Sequence, residues 1–213
     1  MSTFQINSQP ISLDDLRCFL AADCKIELQA DAVEKIKANR RFLEKKIAEP
    51  SAKYYGINTG FGALCDVEIP ADQLEQLQEN LVMSHACGMG DEVKQEVVRL
   101  MMFLKVKGLS QGYSGVSIET VGKLIELFNS GILPVIWEVG SLGASGDLAP
   151  LAHLTLPLIG KGSVRYKGEK REALSVLQET KIAPIKLKSK EGLALLNGTQ
   201  FMSAWGCYSL IEA

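Results

Sequence analysis

Ser141-Leu142-Gly143-Ala144-Ser145-Gly146-Asp147-Leu148-Ala149-Pro150-Leu151-Ala152-His153 is the stretch on which the reading of this chain turns. Gly146 has no side chain, so its amide nitrogen can approach the carbonyl carbon of Ala144 through φ/ψ values that a Cβ forbids. Closure there makes a five-membered ring, and loss of water leaves an imidazolone. Loss of a second water from Ser145 converts its Cβ into an exocyclic methylene, giving a 4-methylidene-imidazol-5-one, an electrophile that no ordinary side chain supplies. Ala144, Ser145 and Gly146 are therefore candidate precursors of a prosthetic group, with Ser145 the source of the electrophilic carbon. Gly140 and Gly143 permit the tight bend that closure requires, and closure must draw on backbone strain. Asp147 then reads as the N-cap of a helix that tolerates Pro150 in its first turn and carries Leu148, Leu151, Leu154 and Leu158 as an apolar stripe. The positive end of that helix points at the triad and favours negative charge there. Taken alone, Ala-Ser-Gly is equally a glycine-flanked turn before a helix.

The rest of the chain suits a soluble protein with a substantial core. It has 213 residues, 46% hydrophobic and 23% charged, and a formal net charge of −2. Such a balance points to neither nucleic acid nor an anionic membrane as partner. The first ten residues lack the basic and apolar regions of a signal peptide. The most apolar segment, residues 148–159, is too short to span a bilayer and contains two prolines and a histidine. A cytoplasmic location is expected. The five cysteines, Cys18, Cys24, Cys65, Cys87 and Cys207, are scattered with no Cys-x-x-Cys pair, so reduced thiols are expected, with no disulfide framework and no metal site.

Helical periodicity dominates. Up to Pro50 the chain reads as two helices, one opened by Ser12 with Asp15 at its third position, the other over residues 31–47 with a solvated basic face. Leu74, Leu77 and Leu81 mark a third helix; Val93, Val97, Leu100, Met101 and Leu104 mark a fourth, closed by Gly108. Ser117 caps a fifth, with Val121, Leu124, Ile125 and Phe128 on its face and Gly131 at its end. A short hairpin over residues 162–168 is the one convincing strand signal.

Tyr54-Tyr55-Gly56-Ile57-Asn58-Thr59-Gly60-Phe61-Gly62 has three glycines in seven positions, interleaved with aromatics, a loop shaped for close approach. Its glycine spacing fits neither a phosphate-binding loop nor a dinucleotide site, so no nucleotide is expected. His85 follows Ser84 at the end of the third helix, and a lone histidine in such a place is by default a structural one. His153 reads as a packing or hydrogen-bonding residue. Asn197-Gly198 is by itself a turn signal breaking a helix.

Residues 140–153, together with Tyr-Gly-Ile-Asn-Thr-Gly-Phe-Gly over residues 55–62, Gly-Tyr-Ser-Gly at 112–115 and the segment around Asn197, resemble the histidine and aromatic amino acid ammonia-lyases. The resemblance implies that Ala144-Ser145-Gly146 cyclises autocatalytically to the methylidene-imidazolone. It implies an inner loop containing Gly56, Asn58, Thr59 and Gly60, with Tyr55 as catalytic base, a role open to tyrosine only where positive potential or donors stabilise the phenolate. Asn197 would hydrogen-bond the prosthetic group or the bound amino acid. Ser84-His85 matches the histidine-lyase pattern: His85 would recognise the substrate imidazole and Ser84 would leave room for it. The implied reaction is non-oxidative elimination of ammonia from L-histidine to give trans-urocanate. Tyrosine or phenylalanine ammonia-lyase or aminomutase activity is the neighbouring alternative, and a non-catalytic truncated scaffold or interaction module the alternative of another class.

The implied fold is mainly α. Residues 1–198 form an amino-terminal helical domain of the ammonia-lyase fold with a short β-hairpin, and residues 199–213 begin a central-bundle helix that is cut short. Phe201, Met202, Trp205, Tyr208 and Leu210 continue that helix without a closing glycine or proline. Family members are usually homotetramers, and the arginine that clamps the substrate carboxylate lies in the part absent from this sequence.

Overall fold

The computed structural model describes residues 2–20, 24–49, 53–142 and 146–213. In chain order the elements are β1 (Ser2–Ile6), α1 (Leu13–Leu20), β2 (Cys24–Leu28), α2 (Ala30–Ile47), α3 (Leu74–His85), β3 (Met89–Glu92), α4 (Gln95–Leu109) and α5 (Ile118–Asn129). They continue as β4 (Leu133–Pro134), β5 (Trp137–Val139), α6 (Leu148–Thr155), β6 (Ser163–Tyr166), β7 (Glu169–Glu172), α7 (Ala173–Thr180), α8 (Glu191–Leu196) and α9 (Gln200–Glu212). The mainly α expectation holds.

The core forms around α4. Its Val97, Leu100, Met101, Met102, Phe103 and Val106 are all fully enclosed, so apolar residues surround the helix instead of lining one stripe. Helices α1, α5 and α9 pack on it. Phe19 of α1 stacks on Phe103 of α4 with ring centroids 4.1 Å apart, and Phe4 and Phe128 meet this pair edge-on. Even the charged Arg99 is buried here, donating to the carbonyls of Phe19 and Cys24 while its guanidinium lies over the Phe128 ring.

The caps read from the sequence are present at α1 and α5. Ser12 Oγ accepts from the Asp15 amide while the Asp15 carboxylate accepts from the Ser12 amide, and Ser117 Oγ accepts from the Thr120 amide. Gly108 does not close α4, which runs one residue further to Leu109. Val93 precedes that helix, and its amide donates to the Ile136 carbonyl.

The structure holds more strand than the sequence pattern predicts. Besides the hairpin β6–β7, the described residues contain a parallel pair β1–β2, an antiparallel pair β3–β5, and β4 added to the edge of β6. Segments of two to five residues are too short to establish a period, and their pairing is set by tertiary contacts. Asn129, at the end of α5, illustrates this: its side-chain amide accepts from the Ile26 amide and donates to the Ile26 carbonyl, closing the free edge of β2. Among the described residues no helix is long and apolar enough to cross a membrane.

Candidate active site

The inner loop, the end of α3, the start of α6 and the end of α8 enclose a cavity of about 670 Å³ lined by Tyr55, Phe61, Gly62, Leu81, His85, Leu142, Leu148, Leu193, Leu196 and Asn197. It is mostly apolar with three convergent polar side chains, the usual composition of a small-molecule site. Ala144 and Ser145 lie outside the described residues. Leu142 before them and Leu148 after them both line the cavity, so the chain enters and leaves the triad at its wall. Gly146 has φ +82°, and a Cβ placed there would meet nothing closer than the Ser141 Oγ at 3.9 Å; the backbone conformation, more than space, calls for glycine. The Ser141 hydroxyl lies between two acceptors, the Gly146 carbonyl and the Asp147 carboxylate (2.9 Å to Oδ1).

Asp147 does not cap its own helix. Its buried carboxylate reaches across to α9, where Oδ2 accepts from the amides of Phe201 (2.8 Å) and Met202 (3.2 Å). The expected N-cap is therefore a cap on a different helix: those two amides lie in the first turn of α9, where backbone donors lack helical partners. Asp147 thereby ties the triad's trailing end to α9.

Of the inner-loop residues, Tyr55 faces the cavity. Its ring packs edge-on against Phe61 at 5.9 Å, and its phenolic oxygen accepts from the Gly62 amide at 3.4 Å. Asn58, Thr59 and Gly60 hold the loop's shape instead. Asn58 Oδ1 accepts from the Tyr54 amide at 2.7 Å; Thr59 Oγ1 accepts from the Gly56 amide and donates to the Gly60 carbonyl. Gly56, at φ +69°, lies so close to Phe61 and Leu193 that an added Cβ would come within 2.9 and 3.0 Å of them. The glycine thus lets the loop pack down beside Tyr55.

His85 Nδ1 lies 2.9 Å from the Leu81 carbonyl, which can only accept. In the neutral ring this puts the hydrogen on Nδ1 and leaves Nε2 as an acceptor. Ser84 is exposed and does not line the cavity; its Oγ donates to the same Leu81 carbonyl at 3.0 Å. Asn197 terminates α8, with its amide donating to the Leu193 carbonyl, and it is one of the residues lining the cavity. His153 is remote from this lining. Its Nε2 accepts from the Gly88 amide at 3.0 Å, as a hydrogen-bonding role requires, and burial lowers its pKa from the ordinary 6.5.

The sequence reading missed Lys105, which is 2% exposed on α4 and donates from Nζ to the Asn197 carbonyl at 3.2 Å. Burial pulls its pKa down to about 7, against the raising effect of the Asp147 carboxylate. The available signal was one lysine amid Met101, Met102, Val106 and Leu109, at positions that otherwise read as core.

The sequence pattern of the aromatic amino acid lyases matches residues 11–213. The chain belongs to this family. It is 46% identical over 211 residues to the histidine ammonia-lyase of Staphylococcus aureus (strain JH9), a match that takes in 99% of this chain and 42% of that protein. The structure resembles histidine ammonia-lyase from Trypanosoma cruzi, with a TM-score of 0.88 and 38% identity, over 99% of this chain and 40% of that one. It also resembles the phenylalanine aminomutase of Pantoea agglomerans, with a TM-score of 0.88 and 32% identity, over 100% of this chain and 41% of that one. The chain thus spans about two fifths of the length of these lyase-family relatives.

Proposed function

We propose that this chain is part of an ammonia-lyase that eliminates ammonia from L-histidine to give trans-urocanate. The observation that carries the reading is the convergence of Tyr55, His85 and Asn197 on one cavity whose wall leads into and out of residues 143–145. The 46% identity to a histidine ammonia-lyase supports histidine over the other aromatic amino acids. So does His85, whose Nε2 acceptor suits the N–H of a substrate imidazole. Ser84 enters this reading only as the small neighbour of His85.

The methylidene-imidazolone is the proposed prosthetic group, derived from Ala144, Ser145 and Gly146. The described flanks fit it: Gly146 has the left-handed conformation that only glycine adopts readily, and Ser141 and Asp147 hold its carbonyl side. When formed, the group supplies an electrophile that makes the substrate amine a leaving group. The chain's own residues do the rest. Tyr55 takes the substrate's β-proton onto its phenolic oxygen, the atom at which the Gly62 amide is aimed. His85 orients the imidazole. Asn197 hydrogen-bonds at the reacting end, and the apolar Leu81, Leu142, Leu193 and Leu196 exclude water. The described cavity lining contains no arginine or lysine, so the counter-charge for the substrate carboxylate is assigned to residues outside this segment.

In the same proposal, residues 1–198 are the amino-terminal domain, residues 199–213 open a bundle helix, and the full-length enzyme works as a cytoplasmic homotetramer. The test is the set of specificity constants of the full-length protein for L-histidine, L-tyrosine and L-phenylalanine, with Ser145→Ala as control. L-Histidine is expected to exceed the other two by about 100-fold or more, as a site built for a polar partner discriminates. Ser145→Ala is expected to abolish turnover. A preference for tyrosine or phenylalanine would move the assignment to the neighbouring lyases and aminomutases.

A further inference from the structure

Lys105 lies outside the cavity lining and takes no part in the mechanism above, yet its ammonium is placed where two parts of the site meet. Nζ donates to the carbonyl of Asn197, a residue that lines the cavity at the end of α8. The Asp147 carboxylate is close enough to act on the same charge, and that carboxylate holds the start of α9 through two amides and shares the Ser141 hydroxyl with the Gly146 carbonyl. The Lys105 side chain therefore links α4 directly to Asn197, in the electrostatic reach of Asp147.

Fold stability does not explain a lysine at this position. Taking an ammonium out of water is costly, and a methionine of similar length would fill the same space among Met101, Met102 and Leu109 without that cost. Burial opposes the charge and brings the pKa to about 7 even with the Asp147 carboxylate acting the other way, while the Asn197 carbonyl gives Nζ a hydrogen-bond acceptor. We propose that Lys105 is a positioning residue for the elimination: by its buried bond from α4 to the Asn197 carbonyl, it fixes the junction of α8 and α9 so that Asn197 meets the substrate in reactive geometry. This rests on the function proposed above and extends it to a residue that does not touch the substrate.

The experiment compares Lys105→Met and Lys105→Arg in the full-length enzyme. Steady-state kinetics with L-histidine are read beside amide hydrogen exchange of residues 197–204, followed by mass spectrometry. Lys105→Met is expected to lower kcat about tenfold or more with KM changed less than about threefold, the signature of lost positioning. It is also expected to speed exchange in 197–204 about tenfold. Lys105→Arg, which keeps a charge and a donor, is expected to bring both back to within about threefold of wild type. If Lys105→Met does not fold, Lys105→Gln replaces it under the same criteria. A neutral variant with wild-type kcat and unchanged exchange overturns the proposal, as does a loss of kcat that arginine does not relieve. Exchange is read whether or not the protein turns over. A full-length protein inactive on every aromatic amino acid would thus refute the proposed function, while the exchange ratio still decides whether Lys105 holds residues 197–204.

Discussion

At His153 the imidazole serves the backbone. Its Nε2 accepts from the Gly88 amide, and the ring lies within 3.1 Å of where a Cβ on Gly88 would sit, so the contact pins α6 against the turn after α3. Accepting at Nε2 requires that nitrogen to be unprotonated, in keeping with a pKa lowered by burial. Below pH 6.5 the unfolded chain then binds this proton more readily than the folded one. The His153 contribution is therefore complete above 6.5 and is lost as pH falls through the lower, folded value. Chemical denaturation at successive pH values is expected to show this loss in the wild type and not in His153→Ala, which should itself be about 1 kcal/mol less stable above pH 6.5. Legibility at this scale was uneven. Tyr55, His85 and Asn197 could be named only because the segments around them resemble the ammonia-lyases, and the cavity brings them together. Ser84 adjoins His85 in sequence but turns its hydroxyl back to α3. Asp147 looked like a local cap because spacing along the chain says nothing of an amide 54 residues away.

Among the elements, helices were legible and short strands were not, for a physical reason. A helix such as α4 closes its own hydrogen bonds and repeats its apolar positions over 15 residues, whereas β4 has two residues and owes its existence to β6. The junction of the β3–β5 ladder with the β6–β7 hairpin was likewise invisible, because it rests on contacts between residues far apart in sequence, among them Lys170 over the Trp137 ring and the ion pairs of Glu92. Glu92 of β3 accepts from Arg165 Nε and Nη2 through Oε2 and from Lys170 Nζ through Oε1, at 2.8–3.0 Å. These charge-assisted bonds, led by that from Lys170, hold its carboxyl below the usual 4.5. Glu92→Gln is expected to cost about 1 kcal/mol, a modest figure because all three side chains remain partly exposed. Thermal melts in rising salt should narrow the gap between variant and wild type. The sign in pH follows from the lowered value: the Glu92 contribution is present above 4.5 and fades as pH falls through the folded pKa. A gap unchanged by either salt or acid would assign Glu92 to packing instead of charge.

For the whole molecule, apolar side chains are left uncovered at several places, α9 among them. On α9, Phe201, Ala204 and Ile211 are buried against the core while Met202 is 62% and Leu210 65% exposed, so the helix is apolar on both sides. Leu142 at the cavity and Met89 and Val139 on the β3–β5 ladder are exposed as well. Phe201 continues the helix as the sequence suggested, but it is part of the core. The exposed apolar groups are expected to drive self-association when the 213-residue chain is purified alone. The same chain is expected to lack lyase activity even when folded. Among the described residues its cavity lining presents Tyr55, His85 and Asn197 but no lysine or arginine for the substrate carboxylate, and Tyr55 itself is 59% exposed. Holding a substrate in reactive geometry accounts for roughly 7–11 kcal/mol of a barrier, so an unclamped amino acid beside an open loop should turn over below detection. Two measurements decide the matter, urocanate formation by ultraviolet absorbance and particle size by light scattering. Sustained turnover by this chain alone would show that the carboxylate needs no partner outside it, whereas an inactive monomer would refute only the association.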